Sequence, residues 1–266
     1  MNPIIWLQRT LVEAAGSNMI LLAAVLSGIA ALLTTLGALP VFFIKKGSTH
    51  HVLDVGLGFS SGVMIVASFT SLLLPAMDMA GFWKPIAGFI LGAISIAVLN
   101  RVIPHEHIIK GYEGPAALRN KAKAAWLVAM AIIIHNLPEG MAIGSSTVYS
   151  PALGVATGIA IALQDTPEGF AVALPIALIT GRRSKGFLYG LLSGLSEMTV
   201  AVPTALLGSI SYHLLPYLLG YGAGAMVYVV SHEALPESHR TGHERDATIG
   251  FFIGFLVMLY LDSTLG

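Results

Sequence analysis

The sequence predicts an all-α integral membrane protein with eight transmembrane helices. Of its 266 residues, 55% are hydrophobic and 11% are charged, and the mean hydropathy is +0.80. Soluble domains carry about 25% charged residues, so this chain lacks the polar surface that a globule in water requires. Each crossing of a bilayer needs about 20 largely apolar residues. The eight predicted spans are residues 18–44, 52–77, 84–103, 124–144, 152–180, 187–209, 217–235 and 248–264.

The distribution of lysine and arginine predicts the orientation of these spans. Twelve of the 14 basic residues lie in the connections after the first, third, fifth and seventh spans. Only Arg9 and Lys84 lie on the opposite side. Because basic residues accumulate in cytoplasmic loops, we expect both termini to lie outside the cytoplasm.

The predicted spans leave no room for a soluble domain, so residues 1–266 form a single polytopic transmembrane domain. No cysteine is present, which excludes disulfides and thiolate ligands. The longest connection, residues 104–123, is predicted to be a mobile cytoplasmic loop. It contains His105 and His107, which are either solvated loop residues or a weak metal relay. No nucleic-acid partner is expected.

One motif occurs twice inside the apolar sequence, 29 residues apart. Residues 135–140 read HNLPEG, and residues 164–169 read QDTPEG. A charged side chain near the bilayer centre costs about 2.5–3.5 kcal/mol on insertion scales. Two such motifs in neighbouring spans therefore indicate a shared function, and we expect a transmembrane metal site.

Helical spacing places the polar groups of each motif together. Glu139 lies one turn beyond His135, and Glu168 lies one turn beyond Gln164. Consecutive spans run antiparallel, so the repeated motif implies inverted pseudo-symmetry, in a 3+2+3 arrangement of the spans. Each motif also contains a proline, which removes one backbone hydrogen bond and is expected to open the helix locally.

Glu197 lies midway along the sixth predicted span and adds a fourth carboxylate to those of Glu139, Asp165 and Glu168. Carboxylates that converge without a cation repel one another or bind protons. Together with the imidazole of His135 and the amides, they suit one or two divalent transition-metal ions. Two alternatives stay open at this point: kinked helices whose polar groups satisfy one another, and, for Glu197, a protonated core residue or proton relay.

Polar residues near the ends of other spans extend this pattern. Asp78 closes the second span and Asp262 lies at the outer end of the eighth, where each either attracts cations or is simply solvated. His232 and Glu233 lie near the cytoplasmic end of the seventh span. They are consistent with a metal exit station or with an interfacial pair.

The paired Pro-Glu-Gly motifs and the eight spans with outside termini resemble the ZIP (Zrt/Irt-like) divalent-metal transporters, and most closely their prokaryotic branch. The resemblance covers almost the whole chain. It implies one metal bound by His135, Glu139, Gln164 and Glu168 with Met64 alongside, and a second bound by Asn136, Asp165 and Glu197 with Glu139 and Glu168 bridging. It further implies that Ser71, Asp78 and Asp262 line the metal entrance and that His232 and Glu233 line the exit.

The resemblance also implies a function and a mechanism. The protein is expected to import Zn2+, and possible substrates include Cd2+, Fe2+ and Mn2+, across the bacterial inner membrane as a homodimer in the lipid bilayer. Spans 18–44, 124–144, 152–180 and 187–209 would form the bundle that carries the metal, moving like an elevator. Spans 52–77, 84–103, 217–235 and 248–264 would form the scaffold and dimer interface.

Other functions remain possible from the residues alone. A proton-coupled cation carrier would use the carboxylates for protons only, and a metal-selective channel would use the same groups without alternating access. An intramembrane metalloprotease requires a His-Glu-x-x-His motif. Asn136 and Glu139 occupy the second and fifth positions of that motif here, so no enzyme is expected.

Overall fold

The computed structural model describes residues 3–16, 18–43, 50–107, 111–113, 124–240 and 242–265. Its helices are α1 (Pro3–Ala15), α2 (Met19–Ala38), α3 (His50–Ala67), α4 (Leu74–Ala80), α5 (Trp83–Val102), α6 (Ala124–Tyr149), α7 (Pro151–Thr180), α8 (Arg183–Ile210), α9 (Leu215–Val229), α10 (Leu235–Ser238) and α11 (Glu244–Leu265). Two short strands, β1 (His105–His107) and β2 (Gly111–Glu113), pair antiparallel with His107 opposite Gly111.

Six helical segments of the described chain are long and apolar enough to cross a membrane, with mean hydropathies of 1.3 to 2.4. They are Met19–Phe42, His51–Ala80, Trp83–Val102, Arg183–Ile210, Tyr212–Ser238 and Glu244–Leu265. Helices α6 and α7 are 26 and 30 residues long, about 39 and 45 Å, but each carries one of the polar motifs in its interior. Large apolar side chains also cover the outside of the bundle, as expected for a surface in contact with lipid, and Trp83 is 79% exposed.

Glycines bring helices α2, α6, α7 and α8 into backbone contact around the metal-site motifs. A Cβ atom on Gly37 would lie 1.9 Å from the carbonyl oxygen of Thr166, and one on Gly169 would lie 1.9 Å from that of Thr34. Gly140 of α6 approaches the carbonyl oxygen of Glu197 in α8 in the same way. Helices that pack this closely through small residues are held together by van der Waals contacts along their backbones.

The remaining long helices form two further glycine-packed pairs. In the first, a Cβ atom on Gly58 of α3 would lie 2.1 Å from the carbonyl oxygen of Ala247 in α11. In the second, a Cβ atom on Gly88 of α5 would lie 2.4 Å from the carbonyl oxygen of Tyr217 in α9. In α3 and α11 the contacts advance in the same direction, since Gly62 meets Phe251, so this pair is parallel.

Two helices change to π-helical geometry for about one turn. The first π-turn, Ser68–Leu73, joins α3 to α4, and the second, Val230–Ala234, joins α9 to α10. Each is followed by a Leu-Pro pair that starts the next helix. Local opening was expected at Pro138 and Pro167 instead, yet α6 and α7 continue as α-helices through both prolines. Both helices are packed on several sides, which keeps them regular despite the missing hydrogen bonds.

Two elements of the structure, an N-terminal helix and a short β-hairpin, were not predicted. Residues 3–15 form α1, whose Gln8 side chain donates a hydrogen bond to the carbonyl oxygen of Leu265 at 2.8 Å. The hairpin β1–β2 lies within the segment predicted as a mobile loop. Residues 108–110 and 114–123 of that segment lie outside the described residues, so its mobility stays a prediction.

Close packing at Gly37 can be tested by a single added methyl group. We expect Gly37→Ala to lower the thermal unfolding temperature of the detergent-purified protein, because overpacking a close contact costs about 1–3 kcal/mol. Gly28→Ala on the same helix is the matched control, since its Cβ would meet only the Met198 side chain, at 4.0 Å. Equal unfolding temperatures for the two variants would contradict the close approach of α2 and α7.

Candidate metal site

Helices α6 and α7 bring three metal-ligating groups to one point. His135 and Glu139 lie one turn apart on α6, and Glu168 lies on α7. One ligand atom from each of these residues lies within 4.8 Å of the other two. Glu139 and Glu168 are buried, with 1% and 8% exposure. The predicted i, i+4 spacing therefore does place these side chains together.

The amide of Gln164 belongs to the same cluster. Its Nε2 donates a long hydrogen bond of 3.5 Å to Oε1 of Glu139. Its backbone carbonyl accepts a hydrogen bond of 2.9 Å from the Ser60 hydroxyl of α3. Met64 lies one turn beyond Ser60 and is fully buried, which is consistent with the position predicted for it beside the cluster.

Asn136 and Asp165 lead from this cluster toward α8. The Asn136 amide donates to the carbonyl and hydroxyl oxygens of Ser193, at 2.7 and 2.9 Å, and approaches the Ser196 hydroxyl at 3.0 Å. The NH2 group of Asn136 is thus held by α8, and its amide oxygen is the atom that would bind a cation. The buried carboxyl groups of Asp165 and Glu197 lie close enough to interact electrostatically, and Glu197 also interacts with Glu139.

Buried oxygen atoms without hydrogen-bond donors characterise this site. Among the described residues, every buried side-chain polar atom that has no hydrogen-bond partner is an oxygen. These atoms are Oδ1 of Asn100, Oε2 of Glu139, Oε1 of Gln164, Oδ2 of Asp165 and Oε2 of Glu197. An unsatisfied buried polar group costs about 1–3 kcal/mol. A divalent cation bound by these oxygens would satisfy them, so the residues fit a metal ion.

Glu233 of the second π-turn connects the cluster to one end of the bundle. Its Oε2 lies 3.4 Å from Nδ1 of His135, and its Oε1 accepts a hydrogen bond of 2.6 Å from the Asn100 amide. When Nδ1 of His135 donates to this carboxylate, Nε2 keeps its lone pair for a metal ion. Nε2 of His232, the residue before Glu233, instead lies 3.7 Å from Oε1 of Glu113 of β2.

Asp262 of α11 is hydrogen-bonded to the first π-turn, Ser68–Leu73, as Asn100 of α5 is to the second. Its carboxylate accepts hydrogen bonds from Ser71, at 2.9 and 3.2 Å, and from Thr70. Ser71 is fully buried, whereas Asp78 lies exposed on α4. The structure therefore joins two of the three residues predicted at the metal entrance, and Asp78 lies apart on the surface.

Sequence reasoning missed the residues that hold the ligands in place. Asn100, Ser193 and Ser196 contact predicted site residues, and Thr70 contacts Asp262. The available indication was polarity alone: Asn100 is a buried amide in the last turns of an apolar helix. The side chains of His105 and His107 lie outside the described part of the structure, so their role stays a prediction.

Long apolar helices around a buried cluster of metal-ligating groups define an integral membrane protein with a candidate intramembrane cation site. The family model described as "ZIP Zinc transporter" matches residues 104–262. The zinc transporter ZIPB of Bordetella bronchiseptica is 41% identical over 254 residues, which cover 91% of this chain and 81% of that protein. The zinc transporter GufA of Myxococcus xanthus is 37% identical over 256 residues, 92% of this chain and 98% of that protein.

The zinc transporter ZupT of Nitratidesulfovibrio vulgaris is also 37% identical, over 264 residues that cover 90% of this chain and 95% of that protein. The chain belongs to the ZIP family of metal transporters. This confirms the family indicated by the two Pro-Glu-Gly motifs, and the similarity to its prokaryotic members. Membership in this family also indicates a transporter rather than an enzyme.

Proposed function

We propose that this protein imports Zn2+ into the cytoplasm across the bacterial inner membrane by alternating access. The observation that carries the proposal is the group of buried oxygens without hydrogen-bond donors around His135, Glu139 and Glu168. A cation is the binding partner that these oxygens lack. The relatives named as zinc transporters support zinc as the main substrate. Cd2+, Fe2+ and Mn2+ are further proposed substrates, because the ligands are mostly oxygens.

Two ions per protomer are proposed, with the ligands divided between them. The first ion is bound by His135, Glu139, Gln164 and Glu168, with the thioether of Met64 beside it. The second ion is bound by Asn136, Asp165 and Glu197, with Glu139 and Glu168 shared between the two. The unpaired oxygens of Gln164 and Glu139 support the first set, and those of Asp165 and Glu197 support the second. The amide of Gln164 makes the first set weaker for zinc than a second imidazole would.

Eight membrane spans with both termini outside the cytoplasm are proposed for the topology. Helices α6 and α7 join the six apolar segments as the fourth and fifth spans, since each is long enough to cross a bilayer. The inverted 3+2+3 symmetry is supported by the two π-turns, which lie in the second and seventh spans. Each π-turn carries a residue that is bonded to the neighbouring long helix, Ser71 to Asp262 and Glu233 to Asn100.

An elevator-like movement is proposed for the transport step. Backbone contacts at glycines join α2, α6, α7 and α8 into one bundle, the carrier bundle, and pack α3 on α11 and α5 on α9. These two pairs, with α4 and α10, form the scaffold bundle, through which a homodimer is proposed to assemble. Between the bundles the nearest atoms to the glycines are mainly side-chain atoms: the built Cβ of Gly56 of α3 faces the Pro167 ring of α7, and that of Gly222 of α9 faces the Cβ atom of Met141 at 3.7 Å, with the Ala142 backbone nitrogen at 3.8 Å. Side chains rearrange more readily than interlocked backbones, which favours sliding at this boundary.

A pathway for the metal through the protein is proposed from the polar contacts at the two π-turns, Ser71 with Asp262 and Glu233 with Asn100. Asp78, Asp262 and Ser71 would receive the metal at the outer side. Glu233 would accept it from His135, because these two side chains already lie 3.4 Å apart. His232 would follow, with His105 and His107 of the hairpin segment as the last ligands before the cytoplasm.

Metal uptake into proteoliposomes tests the proposed function. We expect saturable Zn2+ uptake by the wild-type protein, reduced more than about tenfold by His135→Ala and by Glu168→Ala, because each removes a ligand that no neighbouring group replaces. Glu13→Ala, an exposed carboxylate on α1, is the matched control and should transport normally. The same assay with Cd2+, Fe2+ and Mn2+ measures selectivity.

Other outcomes of this assay would favour the alternative functions. Unchanged uptake in both site variants would contradict the site assignment. A proton current that needs no metal would indicate a proton carrier, and unitary current steps without saturation would indicate a channel.

Disulfide cross-links test the elevator movement, since the native chain contains no cysteine. The pair Gly222→Cys and Met141→Cys joins the scaffold to the carrier bundle, with the built Cβ of Gly222 3.7 Å from that of Met141. This distance suits a disulfide. We expect oxidation to abolish Zn2+ uptake and reduction to restore it, because the cross-link prevents sliding.

The matched control lies within the carrier bundle. Gly208→Cys and Val148→Cys join α8 to α6, with a Cβ separation of 3.5 Å. Oxidation of this pair should leave uptake unchanged. Full uptake by the oxidised Gly222–Met141 pair would exclude relative movement of the two bundles at this contact.

A further inference from the structure

Ser60 makes a hydrogen bond that crosses from the scaffold bundle to the carrier bundle. Its hydroxyl, on α3, donates to the backbone carbonyl oxygen of Gln164 on α7 at 2.9 Å. Ser60 is 3% exposed and Gln164 is fully buried, so this bond is shielded from solvent. Neighbouring hydroxyls differ: those of Ser61 and Ser68 donate to the carbonyl oxygen four residues earlier in the chain, at 2.8 and 2.7 Å. The Ser60 hydroxyl therefore joins two helices that belong to different bundles.

A close contact between the same two helices lies one turn from this hydrogen bond. A Cβ atom on Gly56, four residues before Ser60, would lie 2.5 Å from the Cβ atom of Pro167, three residues after Gln164. A glycine at this position therefore lets the rigid proline ring lie directly on the backbone of α3. The two contacts run in opposite directions along the two helices, so α3 and α7 are antiparallel here. Together they fix the register of α7 on α3.

Both contacts lie at the proposed metal ligands of α7. Gln164, whose carbonyl oxygen is held by Ser60, directs its side-chain amide toward Glu139. Glu168 directly follows Pro167 in the chain. The ligands of α7 therefore stay in register with the scaffold bundle as long as both contacts persist.

The hydrogen bond of Ser60 is of a kind that can be exchanged without leaving a buried group unpaired. A serine hydroxyl within a helix can donate to the carbonyl oxygen four residues earlier, here that of Gly56, as the hydroxyl of Ser61 already does in its own position. The carbonyl of Gln164 lies inside α7, where the backbone N–H of Glu168 is its helical donor. Both groups therefore have partners within their own helices when α3 and α7 separate.

We propose that Ser60 is a positioning residue of the transport site: together with Gly56 it holds the ligands of α7 against the scaffold bundle in this conformation, and it releases them when the carrier bundle moves. The inference rests on the proposed elevator movement and adds the contact that stabilises one of its end states. The pair of His135 with Glu233 also joins the two bundles. The contact of Ser60 differs from that pair because its acceptor is a backbone carbonyl, which does not bind the metal.

Single-molecule fluorescence energy transfer on the full-length protein in lipid nanodiscs tests this role, because it counts the conformations of folded molecules. Dyes on Ser184→Cys of α8 and Arg245→Cys of α11, both exposed positions, report the place of the carrier bundle relative to the scaffold. We expect Ser60→Ala to shift the ratio of conformations about two- to tenfold away from this one, because it removes one net hydrogen bond from this conformation alone. Gly56→Ala should shift the ratio in the same direction, since its methyl group meets Pro167 only in this register.

Ser61→Ala is the matched control, because the hydroxyl of this buried neighbour donates within its own helix. It should leave the ratio unchanged. A loss of stability alone would lower the unfolding temperature without changing the ratio between two folded conformations. Equal ratios in Ser60→Ala and Ser61→Ala would overturn the inference and leave the elevator movement in place. A single dye distance in a wild-type protein that takes up Zn2+ would contradict the elevator movement itself, and the inference with it.

Discussion

The architecture of this protein depends on the enclosure of four carboxylates inside a bundle of apolar helices. Glu139, Asp165, Glu168 and Glu197 are each less than 10% exposed. Burial of a single charged group costs several kcal/mol even after the protein relaxes. These groups also face one another, so their mutual repulsion adds to the cost. Only a compensating cation, or protons, makes such a cluster tolerable at this depth.

The surrounding structure holds these groups where they can share such a cation. Backbone contacts at glycines bring α7 against α2 and α6 against α8, so that the metal-ligating groups of α6 and α7 and the carboxylate of Glu197 on α8 lie near one another. Asn136 is fixed by the serines of α8, and His135 is oriented by Glu233, which is in turn held by Asn100. Ligands that are oriented by neighbouring hydrogen bonds lose less freedom when a metal binds. In the proposed elevator movement, the same contacts would keep the carrier bundle together as it moves with its cargo.

The sequence was sufficient for the core of this picture because the strongest features are local. Apolar length predicted the helices, and i, i+4 spacing placed His135 with Glu139 and Gln164 with Glu168. The π-turns were not predictable, since their Leu-Pro pairs resemble ordinary helix starts and the extra residue is stabilised by tertiary packing. The pairing of Asn100 with Glu233, 133 residues apart, depends on how α5 packs on α9. Two pairs between the starts of α3 and α11, His51 with Asp246 and His243 with Asp54, each at 3.0 Å, likewise depend on the register of α3 on α11.

The most direct measurement of the central claim is anomalous X-ray diffraction from crystals of this protein grown with Cd2+. Both Pro-Glu-Gly motifs should then contribute ligands to one metal centre. A strong anomalous peak is expected between the imidazole of His135 and the carboxylates of Glu139 and Glu168. Strong peaks at other places in the protein, with none between these three side chains, would contradict it.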